Sequence, residues 1–152
     1  MKYCIALLVL LSVQCAFARL GENLDECKAR YGMFAKQGQA NVAEAKFYVF
    51  QKKGIDVNVI IWKNKCVSIS YTKSGGGGFT PTEVDLLQHS NAENQTWTSE
   101  EKDGMVNYTR KDKKAEGYHE KDPVKTISFV YVEYANEEKA RAQGRETGLE
   151  GF

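Results

Sequence analysis

Three short segments in the first half of the chain pattern as strands. Lys46 to Gln51, Asp56 to Trp62 and Cys66 to Thr72 are rich in β-branched and aromatic residues, which suit a pleated surface. Lys52-Lys53-Gly54 and Lys63-Asn64-Lys65 separate them and read as hairpin turns. Val57, Val59 and Ile61 fall on one face, Ile60 and Trp62 on the other. The pattern predicts a three-stranded antiparallel meander, preceded by a loop from Met33 to Glu44.

Two helices are announced by their caps. Asn23 stands three residues before Glu26, the spacing of a capping box. Leu24, Cys27 and Tyr31 then recur at helical intervals, and Gly32 supplies a stop. After the break at Ser74 to Gly78, Thr80 is an N-cap, Pro81 takes the first helical position and Glu83 completes a second box. Phe79 is placed to staple onto Val84, with Val84 and Leu87 inward and Leu86 beside them. The four glycines carry no Lys-Ser/Thr pair behind them, so they are a loop and not a phosphate cradle.

Alternation resumes in the second half. Gln95 to Glu100, Gly104 to Arg110 and Ala115 to His119 read as polar strands. Lys125 to Tyr134 is apolar on both faces and reads as a central strand. Residues 136–152 are charged, beginning as a helix and fraying. The predicted class is α+β: two short helices packed on antiparallel β-meanders. The element order allows a tandem helix-plus-three-strands repeat, with halves 20–74 and 79–135 joined by Gly75 to Gly78. It equally allows one continuous sheet with both helices on one face.

The N-terminus modifies this picture. Lys2 precedes an uncharged stretch from Tyr3 to Ala18, which ends in Ala16-Phe17-Ala18 before Arg19. These are the parts of a cleavable secretory signal over residues 1–18, and the stretch falls short of the roughly 18–20 residues of a spanning helix. Cleavage would leave one domain over 19–135 plus the polar tail, outside the cytoplasm in the periplasm or beyond the cell. Without Lys2 the remaining chain carries 20 basic and 20 acidic residues. That balance gives no electrostatic footprint for nucleic acid, and no second apolar run is long enough to span a membrane.

Export makes a bridge between Cys27 and Cys66 chemically accessible. It would close a loop of about 40 residues, worth roughly 3–4 kcal/mol by chain entropy. Strand parity argues the other way. Cys66 alternates with Ser68 and Ser70, not with Val67, Ile69 and Tyr71, so it points away from the helix unless a bulge or strand end re-aims it.

The run Leu20-Gly21, Asn23 to Gly32 resembles the opening of the small outer-membrane assembly lipoproteins and of the β-lactamase inhibitory protein type of fold. Lys65 to Tyr71 is similar to a strand of small exported bacterial proteins without assigned function. The resemblance implies a non-catalytic module that binds another protein. It departs from the lipoproteins at Gln14-Cys15, where a small residue should precede the lipidated cysteine.

Catalytic chemistry is sparse. Cys27, Cys66, His89 and His119 lack metal-ligand spacing, and no cofactor motif is present. A thiol-dependent hydrolase or redox protein would need Cys66 or Cys27 beside His119. Glu116, Glu120 and Asp122 offer carboxylate pairs that any acidic chain would offer. Asn94 and Asn107 begin glycosylation sequons. Tyr31, Phe47, Phe50, Trp62, Tyr71 and Phe129 read as core, whereas Tyr48, Tyr131 and Tyr134 are candidates for an interaction surface. The favoured reading is a non-catalytic binding or inhibitor module whose partner is an envelope or secreted protein.

Overall fold

The computed structural model describes residues 19–147. The signal segment 1–18 and the last five residues of the tail lie outside the described residues. Three helices and eight strands follow in order: α1 (Leu24–Tyr31), β1 (Lys36–Gln39), β2 (Lys46–Lys52), β3 (Ile55–Trp62), β4 (Lys65–Lys73), α2 (Pro81–Ser90), β5 (Trp97–Lys102), β6 (Met105–Arg110), β7 (Ala115–Glu120), β8 (Thr126–Tyr131) and α3 (Val132–Thr147). All eight strands join one antiparallel sheet in the order β1-β2-β3-β4-β8-β7-β6-β5. Each half is a four-stranded meander, and the halves meet where β4 pairs with β8 around Ser70 and Ser128.

Both capping boxes form. Asn23 accepts from the amides of Asp25 and Glu26, and Glu26 returns to the Asn23 amide at 2.8 Å. Thr80 accepts from the Glu83 amide while Glu83 accepts from the Thr80 amide at 2.7 Å. A helix of eight or ten residues needs such ends, since it cannot persist in water alone. Both helices lie on the same face of the sheet and share one core. Cys27 and Tyr31 of α1, and Val84 and Leu87 of α2, are buried with Phe50, Val59, Ile69, Tyr71, Ile127 and Phe129.

Register explains that core. Tyr48, Val59, Ile69, Phe129, Gly117 and Tyr108 stand opposite one another in a row across six strands. Directly opposed residues share a face, so one row presents a nearly continuous apolar floor to the helices. Phe129 lies over Gly117, where an added Cβ would stand 2.6 Å from its ring.

Several expectations need correction. The first meander has four strands, because the polar edge segment Lys36–Gln39 pairs with β2 inside the expected loop. The last strand ends at Tyr131, and the chain turns directly into α3 instead of continuing to Tyr134. A third helix therefore joins the expected two, and the repeating unit is a helix with four strands, not three. Leu86 faces solvent instead of the core.

Candidate interaction face

The sheet's second face is treated unequally. At one end α3 covers it: Tyr134 is buried with Val42, Ala45 and Val67, its ring 5.8 Å from that of Trp62. Asn41 donates to Glu138 and Lys63 to Glu133, fastening the helix to the loop before β2 and to the β3–β4 turn. Elsewhere neither α1 nor α2 reaches this face.

The uncovered part is built from the alternate positions of the same strands. Asn58, Ser70, Ser128, Tyr118, Asn107 and Glu100 form one row across it. Ser70 and Ser128 share a hydrogen bond at 2.8 Å, Thr72 and Thr126 another at 2.9 Å. Tyr118 stands in the middle with 47% of its surface exposed. Of the charged strand residues here, Asp56, Glu100, Glu116 and Glu120 stand against Lys36 and Lys102, a modest acidic excess concentrated on the half built from β5 and β7. Rigid hydroxyls and amides around an exposed tyrosine give hydrogen-bonding capacity at low entropic cost.

A concavity opens at the strand ends, with a volume of about 990 Å³. Trp62, Lys65, Lys113, Lys114 and Tyr131 help line it. Its polar core is already occupied. The Arg110 side chain, 3% exposed, is bonded to Glu93 and to both oxygens of Asp112, and its guanidinium lies 5.4 Å from the Tyr131 ring. Tyr131 donates to Glu93 at 2.7 Å. Gly21 lets the N-terminal arm pass here, since a Cβ would meet Glu93 at 2.7 Å and the Tyr131 hydroxyl at 3.0 Å. The Arg110 guanidinium is desolvated, yet its two carboxylates hold it firmly charged.

Of the three tyrosines proposed for a surface, Tyr131 and Tyr134 line this concavity, Tyr131 half-buried and Tyr134 almost wholly covered. Tyr48 is buried because it shares strand parity with Phe50, and Tyr134 because it lies on the inner side of α3. Among the described residues the exposed aromatic is Tyr118, which the sequence shows only as one more alternate position in a polar strand. Cys27 and Cys66 are brought into one core: both are fully buried and unbridged, and the Cys66 thiol donates to the Ser68 carbonyl at 3.6 Å.

His119 is elsewhere. It shares the row of Tyr71, two strands from β4, and Cys66 lies five residues along β4 from Tyr71. That is roughly 16 Å along the strand before the lateral step is added. Its ring nitrogens are occupied by the Tyr108 hydroxyl at 2.6 Å and the Glu120 carbonyl at 2.7 Å. The carbonyl can only accept, so Nδ1 carries a proton and donates it there. His89 bonds the Asp85 carbonyl on α2. Glu116 and Glu120 share the open face but stand about 13 Å apart by strand rise, beyond the span of a glycosidase pair. Asn94 and Asn107 are both exposed.

No protein-family model matches the chain, and no curated protein matches it. Two solved structures are similar to it. One is a cysteine-rich secretory protein from Staphylococcus aureus, at 14% identity and TM-score 0.48, covering 76% of this chain and 45% of that one. The other is an extracellular protein containing a SCP domain from Bacillus anthracis, at 9% identity and TM-score 0.47, covering 78% of this chain and 46% of that one. The chain thus spans less than half the length of either. These neighbours replace the resemblance to the outer-membrane assembly lipoproteins and the β-lactamase inhibitory protein type. That resemblance rested on about ten residues around the eight-residue helix α1 together with element order, and capping chemistry recurs wherever a short helix must start.

Proposed function

We propose that this protein acts outside the cytoplasm as a non-catalytic binding module that docks a basic patch of another protein on the open face of its sheet. The asymmetry of the sheet supports this reading: one face is closed by α1 and α2, while the other presents Asn58, Ser70, Tyr118 and Asn107 uncovered. An antiparallel sheet ordinarily leaves one face to solvent; what suits this one to recognition is an exposed tyrosine set among fixed polar groups. The acidic excess of Glu100, Glu116 and Glu120 over Lys102 on the β5–β7 half favours a basic partner there. If that partner is an enzyme, docking over its active site would inhibit it. Among the described residues no helix is long and apolar enough to cross a membrane.

The test uses the chain from Arg19 onward, immobilised and exposed to an envelope and secreted-protein extract of its own cells. The retained protein is identified, purified and titrated against wild type, Tyr118→Ala and Glu116→Lys/Glu120→Lys. Each variant should weaken binding at least about tenfold, which corresponds to roughly 1.4 kcal/mol. Affinity should also fall with added salt. Equal affinity for all three proteins, or nothing retained, would remove the reading.

A further inference from the structure

A bulge decides where Cys66 points. Ile60 stands opposite Ser68, but its neighbour Ile61 stands opposite Cys66, so Val67 is the additional residue on β4. One extra residue shifts the alternation by one position. Val67 turns to the α3 side and is buried with Tyr134. Cys66 turns to the side of α1 and α2, where its surface is fully removed from solvent. There it meets Cys27, which the helical spacing of Leu24, Cys27 and Tyr31 places on the inward stripe of α1.

The same residue anchors the N-terminal arm. The Gly21 amide donates to the Cys66 carbonyl at 2.9 Å, and the Cys66 amide donates to the Glu22 carbonyl at 2.6 Å. Leu20, one residue earlier, is buried in the core. Arm, helix and bulge therefore converge on one pair of sulfurs.

We infer that Cys27 and Cys66 are oxidised to a disulfide as the chain folds, locking α1 and the arm onto the β4 bulge. The oxidant is a disulfide, either a small molecule or the dithiol site of an oxidoreductase. One cysteine thiolate attacks it, forming a mixed disulfide and releasing one thiol. The second cysteine thiolate then attacks the mixed disulfide at the sulfur of the first, releasing the other thiol. Two protons and two electrons leave the protein, and the oxidant is reduced to two thiols. In the reduced folded state Cys66 is a poor nucleophile, because the neighbouring Cys27 and its own burial both push the thiol pKa up. Oxidation accordingly belongs to the folding chain, before α1 closes over the strand.

The chain from Arg19 onward, whose cysteines are Cys27 and Cys66, is unfolded and reduced, then refolded with a mixture of oxidised and reduced glutathione. It is next denatured in guanidinium with iodoacetamide and no reductant, and weighed intact. The expected product takes up no alkyl group and is about two mass units lighter than the reduced chain, which takes up two. Two alkyl groups on the refolded chain, two glutathione adducts or a linked dimer would each overturn the inference. Cys66→Ser provides the control. It should emerge as a monomer with Cys27 free or as a single glutathione adduct, and a product two mass units light from that variant would also overturn it.

Discussion

The backbone amide of Leu20 donates to the side-chain oxygen of Asn91, 71 residues further along the chain, at 3.1 Å. The Asn91 amide nitrogen donates in turn to the Tyr71 hydroxyl at 3.1 Å and to the Leu87 carbonyl at 2.8 Å. One fully buried side chain thus joins the N-terminal arm, the end of α2 and the centre of β4. Asn91→Ala would leave the buried Leu20 amide without its partner, while the Leu87 carbonyl keeps the backbone amide of residue 91. The expected loss is about 2 kcal/mol, since a stranded group costs roughly 1–3 kcal/mol. Urea denaturation measures it, and a loss under about 1 kcal/mol would mean that water reaches the site. Proteolysis near Arg19 should also accelerate, because the arm loses one of its attachments.

Gly117 and Gly38 both lie beneath phenylalanine rings, yet the two sites differ in how much they can yield. At Gly117 a Cβ would stand 2.6 Å from fully buried Phe129 and 3.0 Å from the Ser128 carbonyl. At Gly38, on edge strand β1, it would meet only the half-buried Phe47 ring, whose nearest atom is 2.5 Å away. Gly117→Ala should cost about 1–3 kcal/mol by overpacking, and Gly38→Ala distinctly less. Thermal denaturation of the two variants side by side decides it. Equal losses would show that Phe129 can move, and that the central row is looser than its burial implies.

Local chemistry was legible in the sequence and pairing geometry was not. Both capping boxes could be read from Asn23, Glu26, Thr80 and Glu83, because a cap involves residues three apart. The hairpin at Lys52-Lys53-Gly54 could be read for the same reason, with Lys53 and Gly54 both at positive φ. β1 could not, since Lys36–Gln39 is a polar edge whose only reason to be a strand is β2 beside it. The bulge at Val67 was equally hidden: one face of β4 must pack α1 and the other α3, so apolar and small residues alternate out of step. Tyr134 followed a strand-like alternation through Val130 and Val132, and only the turn into α3 converts it to a helical core position. The open face, which carries the proposed function, consists of ordinary polar alternation until the pairing of β4 with β8 makes it continuous.

Acid should destabilise the protein through identifiable carboxylates. The Arg110 guanidinium holds Asp112 below its usual range by hydrogen bonding, with help from the Lys114 amide. Glu83 is held low first by the Thr80 amide and then by Lys73. A carboxylate with a lowered folded pKa contributes stability that is complete above its unfolded value, about pH 4. That contribution disappears as pH falls through the folded value. Stability should therefore be flat through neutral pH and fall below about pH 4–5. Arg110→Gln should lower the plateau and flatten the acid limb, because Asp112 then titrates alike in both states. Denaturation midpoints at stepped pH test this, and an unchanged slope would exclude Asp112 as a contributor.

The alkaline limb belongs to the tyrosines. Burial pushes the phenols of Tyr31, Tyr71, Tyr108, Tyr131 and Tyr134 upward, with Tyr134 reaching about 12. Neighbouring acids add to this, Glu93 at Tyr131 and Glu138 at Tyr134. A phenol with a raised folded pKa keeps a proton that the unfolded chain would release. Its effect is nil below the unfolded value of about 10, and above it stability falls as pH rises toward the folded value. These five side chains should resist ionisation until the protein unfolds, then titrate together. Phenolate absorbance recorded beside circular dichroism should show one coincident, cooperative step above about pH 10. If the absorbance instead rises gradually while the dichroism stays native, the core around Tyr71 and Tyr31 admits hydroxide and is not closed by the two helices.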